Sequence, residues 1–124
     1  MSEIKLIKKG RGHRFGLVDG TAVEMDQLDD PKMVVEIMAE SDLLESLYYT
    51  LAPGADSGEP AEHRGQEIHV VLQGEIEFVS GKNKVLAGKG DVIWHRSEEP
   101  HSVRNPGKIP AVAFLVNLPA SFNW

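Results

Sequence analysis

The chain contains no cysteine among its 124 residues. Disulfides, thiolate metal sites and a cysteine nucleophile are therefore excluded. Any metal ion that this protein binds must be held by imidazole and carboxylate groups. The absence of cysteine also agrees with a cytoplasmic location, which we expect for this protein.

Long apolar runs are also missing from the sequence. No run approaches the ~20 residues that a membrane-spanning helix needs, and residues 1–16 lack the apolar core and small-residue cleavage site of a secretory signal. We therefore expect no membrane partner. The formal net charge of −6 argues against a nucleic-acid partner, because phosphate binding needs clustered cations.

The composition is that of an ordinary globular protein, with 41% apolar and 26% charged residues. A chain of 124 residues has the usual length of one domain and is long enough for a hydrophobic core. We therefore predict a single domain over residues 1–124.

The second half of the chain consists of short apolar runs separated by glycines. The runs are too short for typical helices and are rich in β-branched residues, which favours strands. They are IHVVL, EIEFVS, KVLA, DVIWH, HSVR and AVAFLVNL. This regular spacing of strands and turns predicts an all-β barrel or sandwich.

The first half is less clearly patterned. Residues 3–8 alternate apolar and charged side chains and predict a half-buried strand. Residues 11–20 hold three glycines and predict a loop. Residues 33–39 fit either a helix capped by the preceding Asp-Pro or a strand; we favour a strand that forms a hairpin with residues 43–53. Residues 118–124 predict a coil that packs back onto the barrel.

His63 and Glu67 are four residues apart, in a segment rich in glycine and proline that disfavours a helix. On one straight strand they would lie ~13 Å apart, too far to share a metal ion. If both are ligands, His63 ends one strand, Glu67 begins the next, and the chain folds back between them at Gly65, which tolerates a tight turn. Strand alternation then places His69 and Val71 on the same face as Glu67.

Two histidines and one glutamate form the candidate metal site: His63, Glu67 and His101. Such a set with open positions suits Fe(II) and can also hold Mn, Co, Ni or Zn. The alternative is that these side chains are hydrogen-bonded structural residues without a metal. For His69 we favour a buried imidazole satisfied by a neighbour over a pocket role. His95 is expected at an exposed strand end.

Several other side chains have two readings. Trp94, Phe78 and Phe114 are expected in the core rather than on a ligand surface. Arg96 and Arg104 could meet an anionic ligand at the barrel mouth, but solvated surface charge is the more common role.

Two separated motifs resemble those of the cupins, over residues 53 to about 119. The first motif comprises Gly54, His63, Glu67 and Gly74, and the second comprises Gly90, Asp91, His101 and Asn105. Two departures stand out. Ala61 occupies the place of the first motif's leading histidine, and Arg96 and Glu98 replace the proline and glycine of the second motif's turn.

The resemblance implies a double-stranded β-helix barrel of jelly-roll type, with N-terminal strands in residues 1–52 and a homodimer formed by strand pairing. It implies one divalent ion (Fe, Mn, Ni, Co or Zn) held by two histidines and one glutamate. The implied function is a metalloenzyme acting on a small polar molecule, with dioxygenase chemistry as one such reaction. The alternative is a non-catalytic sensor cupin, similar to those in helix-turn-helix regulators, although no helix-turn-helix is predicted here.

Overall fold

The computed structural model describes residues 3–119. Within that range the chain forms ten β-strands and one three-residue 3-10 helix, Met25–Gln27. The strands are β1 (His13–Val18), β2 (Thr21–Glu24), β3 (Met33–Glu40), β4 (Glu45–Leu51), β5 (Gln66–Gln73), β6 (Glu75–Ser80), β7 (Asn83–Gly88), β8 (Val92–Arg96), β9 (His101–Arg104) and β10 (Ala111–Leu118). No helix in the described part of the chain is long and apolar enough to cross a membrane.

The strands form two sheets. One has seven strands in the order β2-β1-β3-β4-β10-β5-β8, and the other has three in the order β7-β6-β9. Both sheets contribute to one apolar core: Leu47 and Val71 come from the larger sheet, and Ile76 and Val103 from the smaller. The fold is therefore all-β and is the double-stranded β-helix barrel that the sequence predicts.

Glycines make the tight connections of the second half. Gly74 joins β5 to β6 at φ +70°, and Gly90 precedes β8 at φ +90°, conformations that other residues rarely adopt. At Gly74 a side chain would also meet the backbone of residues 110–111. The predicted strands of this half, including the HSVR and DVIWH runs, are all present.

The predicted hairpin of the first half is also present, as β3 and β4 pair antiparallel. The helical alternative for residues 33–39 is thus excluded. Position Leu118, which the sequence assigned to a terminal coil, is instead the last residue of β10. Pro119 follows the strand without regular structure, as predicted, and residues 120–124 of the predicted coil lie outside the described residues.

The prediction of a strand at residues 3–8 is wrong for the described chain, where this segment is irregular. An alternating segment becomes a strand only with a pairing partner, and no strand of the described residues pairs with this one. The backbone of the following loop is held by Glu36, which accepts hydrogen bonds from the N–H groups of Gly10 and Gly12 at 2.6 and 2.8 Å. Ile4 and Leu6 remain 93% and 83% exposed.

The prediction of a loop at residues 11–20 is also wrong, because β1 occupies most of it. The three glycines of this segment suggested a continuous loop, whereas the structure has a strand between Gly12 and Gly20. Gly16 lies inside the strand, where a Cβ atom would clash with the side chain of Leu28. Its lack of a side chain therefore serves close packing and does not mark a turn.

Candidate metal centre

Strand β5 carries the acidic centre of the site. Its burial alternates, so that Glu67, His69 and Val71 point into the barrel with exposures of 1%, 2% and 0%. This is the alternation that the sequence predicts. A carboxylate buried this deeply needs partners, because an unpaired charge is costly to remove from water.

His63 reaches Glu67 because the chain folds back between them. Gly65 adopts φ +109°, and a side chain there would clash with the carbonyl of Leu118. The fold-back is held to the loop after β8 by the bonds His63 N–H to Ser97 O at 2.8 Å and Ser97 N–H to Gly65 O at 2.9 Å. His63 Nε2 consequently lies 3.0 Å from Glu67 Oε2. The predicted turn is confirmed, although His63 lies in an irregular segment and does not end a strand.

His101 opens β9 and comes from the smaller sheet. Its Nδ1 donates to the backbone oxygen of Glu99 at 2.8 Å, an arrangement that leaves Nε2 with a free lone pair. That Nε2 is 3.6 Å from Glu67 Oε1. The ligand atoms of His63, Glu67 and His101 all lie within 4.8 Å of one another.

His95 is a member of the cluster that sequence reasoning missed. We expected it to be exposed, but it is 8% exposed and its Nε2 lies 2.7 Å from Glu67 Oε1. It is directly opposite Glu67 in the β5–β8 pairing. Alternation puts His95 on the face of Ile93, but the opposite face carries Val92 and Trp94, so the sequence alone does not show which face is buried.

The same alternation explains why Trp94 is not in the core. It points outward from β8, is 55% exposed and donates from Nε1 to Gln66 at 2.9 Å. Phe78 is buried as expected and packs against the rings of His95 and His101 at centroid distances of 4.4 and 5.8 Å. Phe114 is half-buried on the outer face, against Tyr48.

His69 is a buried imidazole with a neighbour on each side, as predicted. Its Nδ1 is 2.7 Å from the hydroxyl of Tyr49, and its Nε2 is 3.1 Å from both Glu67 Oε1 and His95 Nε2. Glu67, His69 and His95 thus form a second group of ligand atoms within 4.8 Å of one another. Glu67 belongs to both groups and joins them.

The cluster fits a divalent ion by its chemistry and its spacing. Four imidazoles and one carboxylate are ligands that first-row ions prefer. Two ligand atoms that are each ~2.1 Å from one ion lie roughly 3.0–3.4 Å apart in octahedral or tetrahedral geometry. The contacts of Glu67 with His63 and His69, at 3.0 and 3.1 Å, fall in this range, and those with His95 and His101, at 2.7 and 3.6 Å, lie just outside it.

Electrostatics keep the carboxylate ionised. Burial alone would raise the pKa of Glu67, but hydrogen bonds from His63, His69 and His95 outweigh it and lower that pKa. Burial lowers the pKa values of His69 and His101, so both favour the neutral form that can bind a metal. For His63, burial is outweighed by the hydrogen bond and charge of Glu67, and its pKa is raised. Burial and then the Glu67 charge raise the pKa of Tyr49, which stays protonated.

The remaining motif residues have structural roles. Ala61 pairs with the backbone of His101 through two hydrogen bonds of 2.9 and 3.0 Å and offers no ligand. The Asn105 side chain donates to Leu51 O at 3.0 Å and Ile109 O at 2.8 Å, so it shapes the loop before β10. Asp91 accepts from the N–H of Gly88 at 2.8 Å in the turn before β8.

The candidate site opens into a cavity of about 280 Å³. His63, Glu67, His69 and His101 lie on its wall. Arg96 and Arg104 do not line it. Arg96 lies over the Trp94 ring at 5.7 Å, and Arg104 pairs with Glu77 at 3.2 Å, so both have the surface roles that we favoured.

Comparison with solved structures gives many matches with the same fold. The cupin domain of an XRE family transcriptional regulator from Enterobacter cloacae is 24% identical, with a TM-score of 0.63, covering 69% of this chain and 95% of that one. A predicted oxalate decarboxylase from Thermotoga maritima is 18% identical, with a TM-score of 0.72, covering 93% and 99%. KdgF from Halomonas sp. is 15% identical, with a TM-score of 0.72, covering 94% of each chain.

A search of curated proteins finds no significant match. The family model described as "Cupin domain" matches residues 47–117, which is more than half of the chain. That match includes His63, Glu67 and His101 from both predicted motifs. The chain belongs to the cupin family.

Proposed function

We propose that this protein is a metal-binding cupin in which His63, Glu67 and His101 hold one divalent ion, of Fe, Mn, Ni, Co or Zn. The observation that carries the proposal is the surroundings of Glu67. A carboxylate with 1% exposure meets four imidazole nitrogens at 2.7–3.6 Å. Imidazole and carboxylate groups gathered at these distances are the ligand set that first-row divalent ions bind.

The residues beyond the proposed triad support the carboxylate. His95 and His69 contact Glu67 Oε1, and Tyr49 fixes the His69 ring through Nδ1. Such outer hydrogen bonds orient a ligand and tune its basicity. They also place two further imidazoles beside Glu67 that could contact a bound ion, which matters because position 61 supplies none.

The first candidate function is a mononuclear metalloenzyme acting on a small molecule. A bound ion acts as a Lewis acid that polarises the group it binds, and dioxygenase chemistry is one reaction open to such a site. The protein itself supplies a small cavity beside the ligand cluster, which limits water access and orients the bound molecule. Tyr49 holds a proton at its hydroxyl, 2.7 Å from His69.

The second candidate function is a binding module that senses a small molecule without turnover. Its support is the likeness to the cupin domain of a transcriptional regulator, with 95% of that domain covered. A homodimer and a cytoplasmic location, without nucleic-acid or membrane partners, complete the proposal.

The test begins with metal content and affinity. Chelator-treated protein is titrated with each of the five ions by calorimetry, and the bound metal is counted by mass spectrometry. We expect one ion per chain for the wild type and for His13→Ala, a control that removes an exposed histidine outside the site. Loss of binding in His63→Ala with retention in His13→Ala supports the proposed site.

Turnover separates the two candidate functions. Oxygen consumption and product formation are measured for the metal-loaded protein against a panel of metabolites. Metal-dependent turnover supports the enzyme. Saturable ligand binding without turnover supports the sensor.

A further inference from the structure

The histidines of the cluster differ in what their Nδ1 atoms meet. Nδ1 of His101 faces the backbone oxygen of Glu99 at 2.8 Å, and a carbonyl oxygen can only accept a hydrogen bond. Nδ1 of His69 faces the hydroxyl of Tyr49 at 2.7 Å, and a hydroxyl can donate. In a neutral imidazole one nitrogen carries the proton and the other accepts, so the partner of Nδ1 decides whether Nε2 has a lone pair for a metal ion.

Both contacts of His69 favour the same tautomer. Its Nε2 lies 3.1 Å from Glu67 Oε1, and a carboxylate has only lone pairs to offer. An Nε2–H group donates to that oxygen, whereas a bare Nε2 would be repelled by it. Nδ1 is then the accepting nitrogen and receives the Tyr49 hydroxyl. With the opposite tautomer the buried hydroxyl would have no acceptor among the described residues, where His69 is its one hydrogen-bond partner.

The same oxygen of Glu67 accepts a second imidazole. His95 faces Glu67 across the β5–β8 pair, and its Nε2 lies 2.7 Å from Oε1, so it donates for the same reason. The distance of 3.1 Å between the Nε2 atoms of His69 and His95 then follows from their sharing one acceptor. The other oxygen, Oε2, lies 3.0 Å from His63 Nε2.

We propose that Tyr49 is a positioning residue that makes His69 a hydrogen-bond donor to Glu67 and thereby keeps His69 out of the metal's ligand set. For an ion to bind Nε2 of His69, the proton there must move to Nδ1, and the Tyr49 hydroxyl must turn its hydrogen away. Glu67, His69 and His95 are close enough together to hold an ion by distance alone. By their hydrogen bonds, they are instead a carboxylate and its two donors.

The division of roles has a consequence for the proposed metal centre, and to this extent the inference rests on the proposed function. Oε1 of Glu67 is occupied by two donors, so Oε2 is the oxygen left for an ion beside His63. Outer hydrogen bonds of this kind orient a ligand. Each imidazole that stays off the ion leaves a coordination position for a molecule in the cavity, whose wall includes both His63 and Tyr49.

The first experiment locates the protons directly. Full-length protein with isotopically labelled histidine is studied by long-range proton–nitrogen correlation NMR, first metal-free and then loaded with zinc. We expect the ring proton of His69 on Nε2 in both states and the ring proton of His101 on Nδ1. A proton on Nδ1 of His69 in either state, or zinc bound to its Nε2, overturns the inference.

Removal of one hydroxyl tests the role of Tyr49. In Tyr49→Phe we expect the Nδ1 resonance of His69 to move downfield, because an accepting nitrogen loses its hydrogen bond, while the proton stays on Nε2. The matched control is Tyr48→Phe, which removes a hydroxyl from the side chain that packs against Phe114 on the outer face of the sheet. An Nδ1 resonance that is the same in both variants contradicts the inference.

Two replacements of His69 separate a donor from a ligand. Glutamine keeps an N–H group that can donate to Glu67 but is a poor zinc ligand, whereas leucine offers neither. By calorimetry we expect His69→Gln to keep the zinc affinity within about threefold of the wild type and His69→Leu to weaken it roughly 10–100-fold. Equal losses in the two variants would assign His69 as a ligand. Circular dichroism checks that both variants fold.

Failure of this inference can be told apart from failure of the proposed metal function. If zinc binds stoichiometrically and His69 Nε2 is among its ligands, the inference is wrong and the metal function stands. If zinc does not bind, the metal-free spectra still decide the inference. A proton on Nε2 of His69, with the Tyr49→Phe shift at Nδ1, then supports the hydrogen-bond chain while the metal function is wrong.

Discussion

Glu67 and His95 face each other across the β5–β8 strand pair, with His95 Nε2 2.7 Å from Glu67 Oε1. Both side chains point into the barrel, and both are buried. Strand β8, which is far from His63 in sequence, thereby places the imidazole of His95 beside the carboxylate of Glu67. His95 is the fourth imidazole of the cluster. This matters because Ala61 occupies the position at which the first cupin motif has its leading histidine.

Replacement of His95 tests this relationship. We expect His95→Ala to weaken metal binding roughly 10–100-fold, the usual cost of removing a partner of a metal ligand, because Glu67 loses its shortest contact. Calorimetric titration measures the change, and circular dichroism of the metal-free variant checks that the barrel is intact. A metal affinity equal to that of His13→Ala would show that His95 does not contribute to metal binding.

Removal of the proposed ligands has a larger effect. His63→Ala and His101→Ala should each abolish stoichiometric metal binding, because the two ligands that remain of the triad hold a first-row ion poorly. Glu67→Gln should do the same and should also destabilise the metal-free fold, since an amide accepts only through its one oxygen, whereas imidazoles meet both carboxylate oxygens of Glu67. Metal content after dialysis is the measurement. Full occupancy in His101→Ala would refute the site.

Restoring a histidine at position 61 should have the opposite effect. Ala61 lines the cavity and is exposed, and its backbone is already paired with His101, so a larger side chain can be accommodated. We expect Ala61→His to tighten metal binding by at least tenfold, as an added imidazole ligand. Ala61→Phe is the control, because its ring has similar size but no ligand atom. Equal affinities of the two variants would exclude direct ligation at this position.

Metal affinity should fall on acidification, and protonation of His63 determines the pH range of that fall. Its pKa is raised above 6.5, so in the metal-free protein the ring stays protonated to higher pH than an ordinary histidine. The ion binds the neutral ring, and the affinity therefore rises with pH until this proton is lost. Glu67, with its lowered pKa, is ionised throughout.

The measurement is calorimetry near pH 6.5 in buffers of different ionisation enthalpy. We expect net proton release on metal binding, mainly from His63, because the pKa of His63 is raised whereas burial lowers the pKa values of His69 and His101. Metal binding without proton release at this pH would contradict a role for His63 as a ligand.

The N-terminal segment predicts a homodimer. Ile4 and Leu6 are almost fully exposed, next to lysines, in a segment without a strand partner within residues 3–119. Unpaired apolar segments of this kind tend to pair with another copy. We expect sedimentation of the full chain to show a dimer at high micromolar concentration and deletion of residues 1–9 to shift it to monomer. A monomer for the full chain would exclude this assembly.

Much of the fold could be predicted from local sequence. Short β-branched runs between glycines gave the strands of the second half, since such runs fit a pleated strand and glycine permits the turns. Alternation along β5 correctly placed Glu67 and His69 inside the barrel, and the need for a fold-back correctly singled out Gly65. These conclusions hold because each depends on residues only a few positions apart.

The tertiary structure decided what depends on distant neighbours. Residues 3–8 alternate like a strand but find no pairing partner among the described residues, and Gly16 looks like a turn residue but makes room for Leu28. Trp94 was expected to be buried and is exposed, and His95 was expected to be exposed and is buried. Alternation along β8 does not say which face of the strand meets the core. That choice, and with it the contact between His95 and Glu67, is fixed by the register of β8 against β5, since a slip of one residue would turn every side chain to the opposite face.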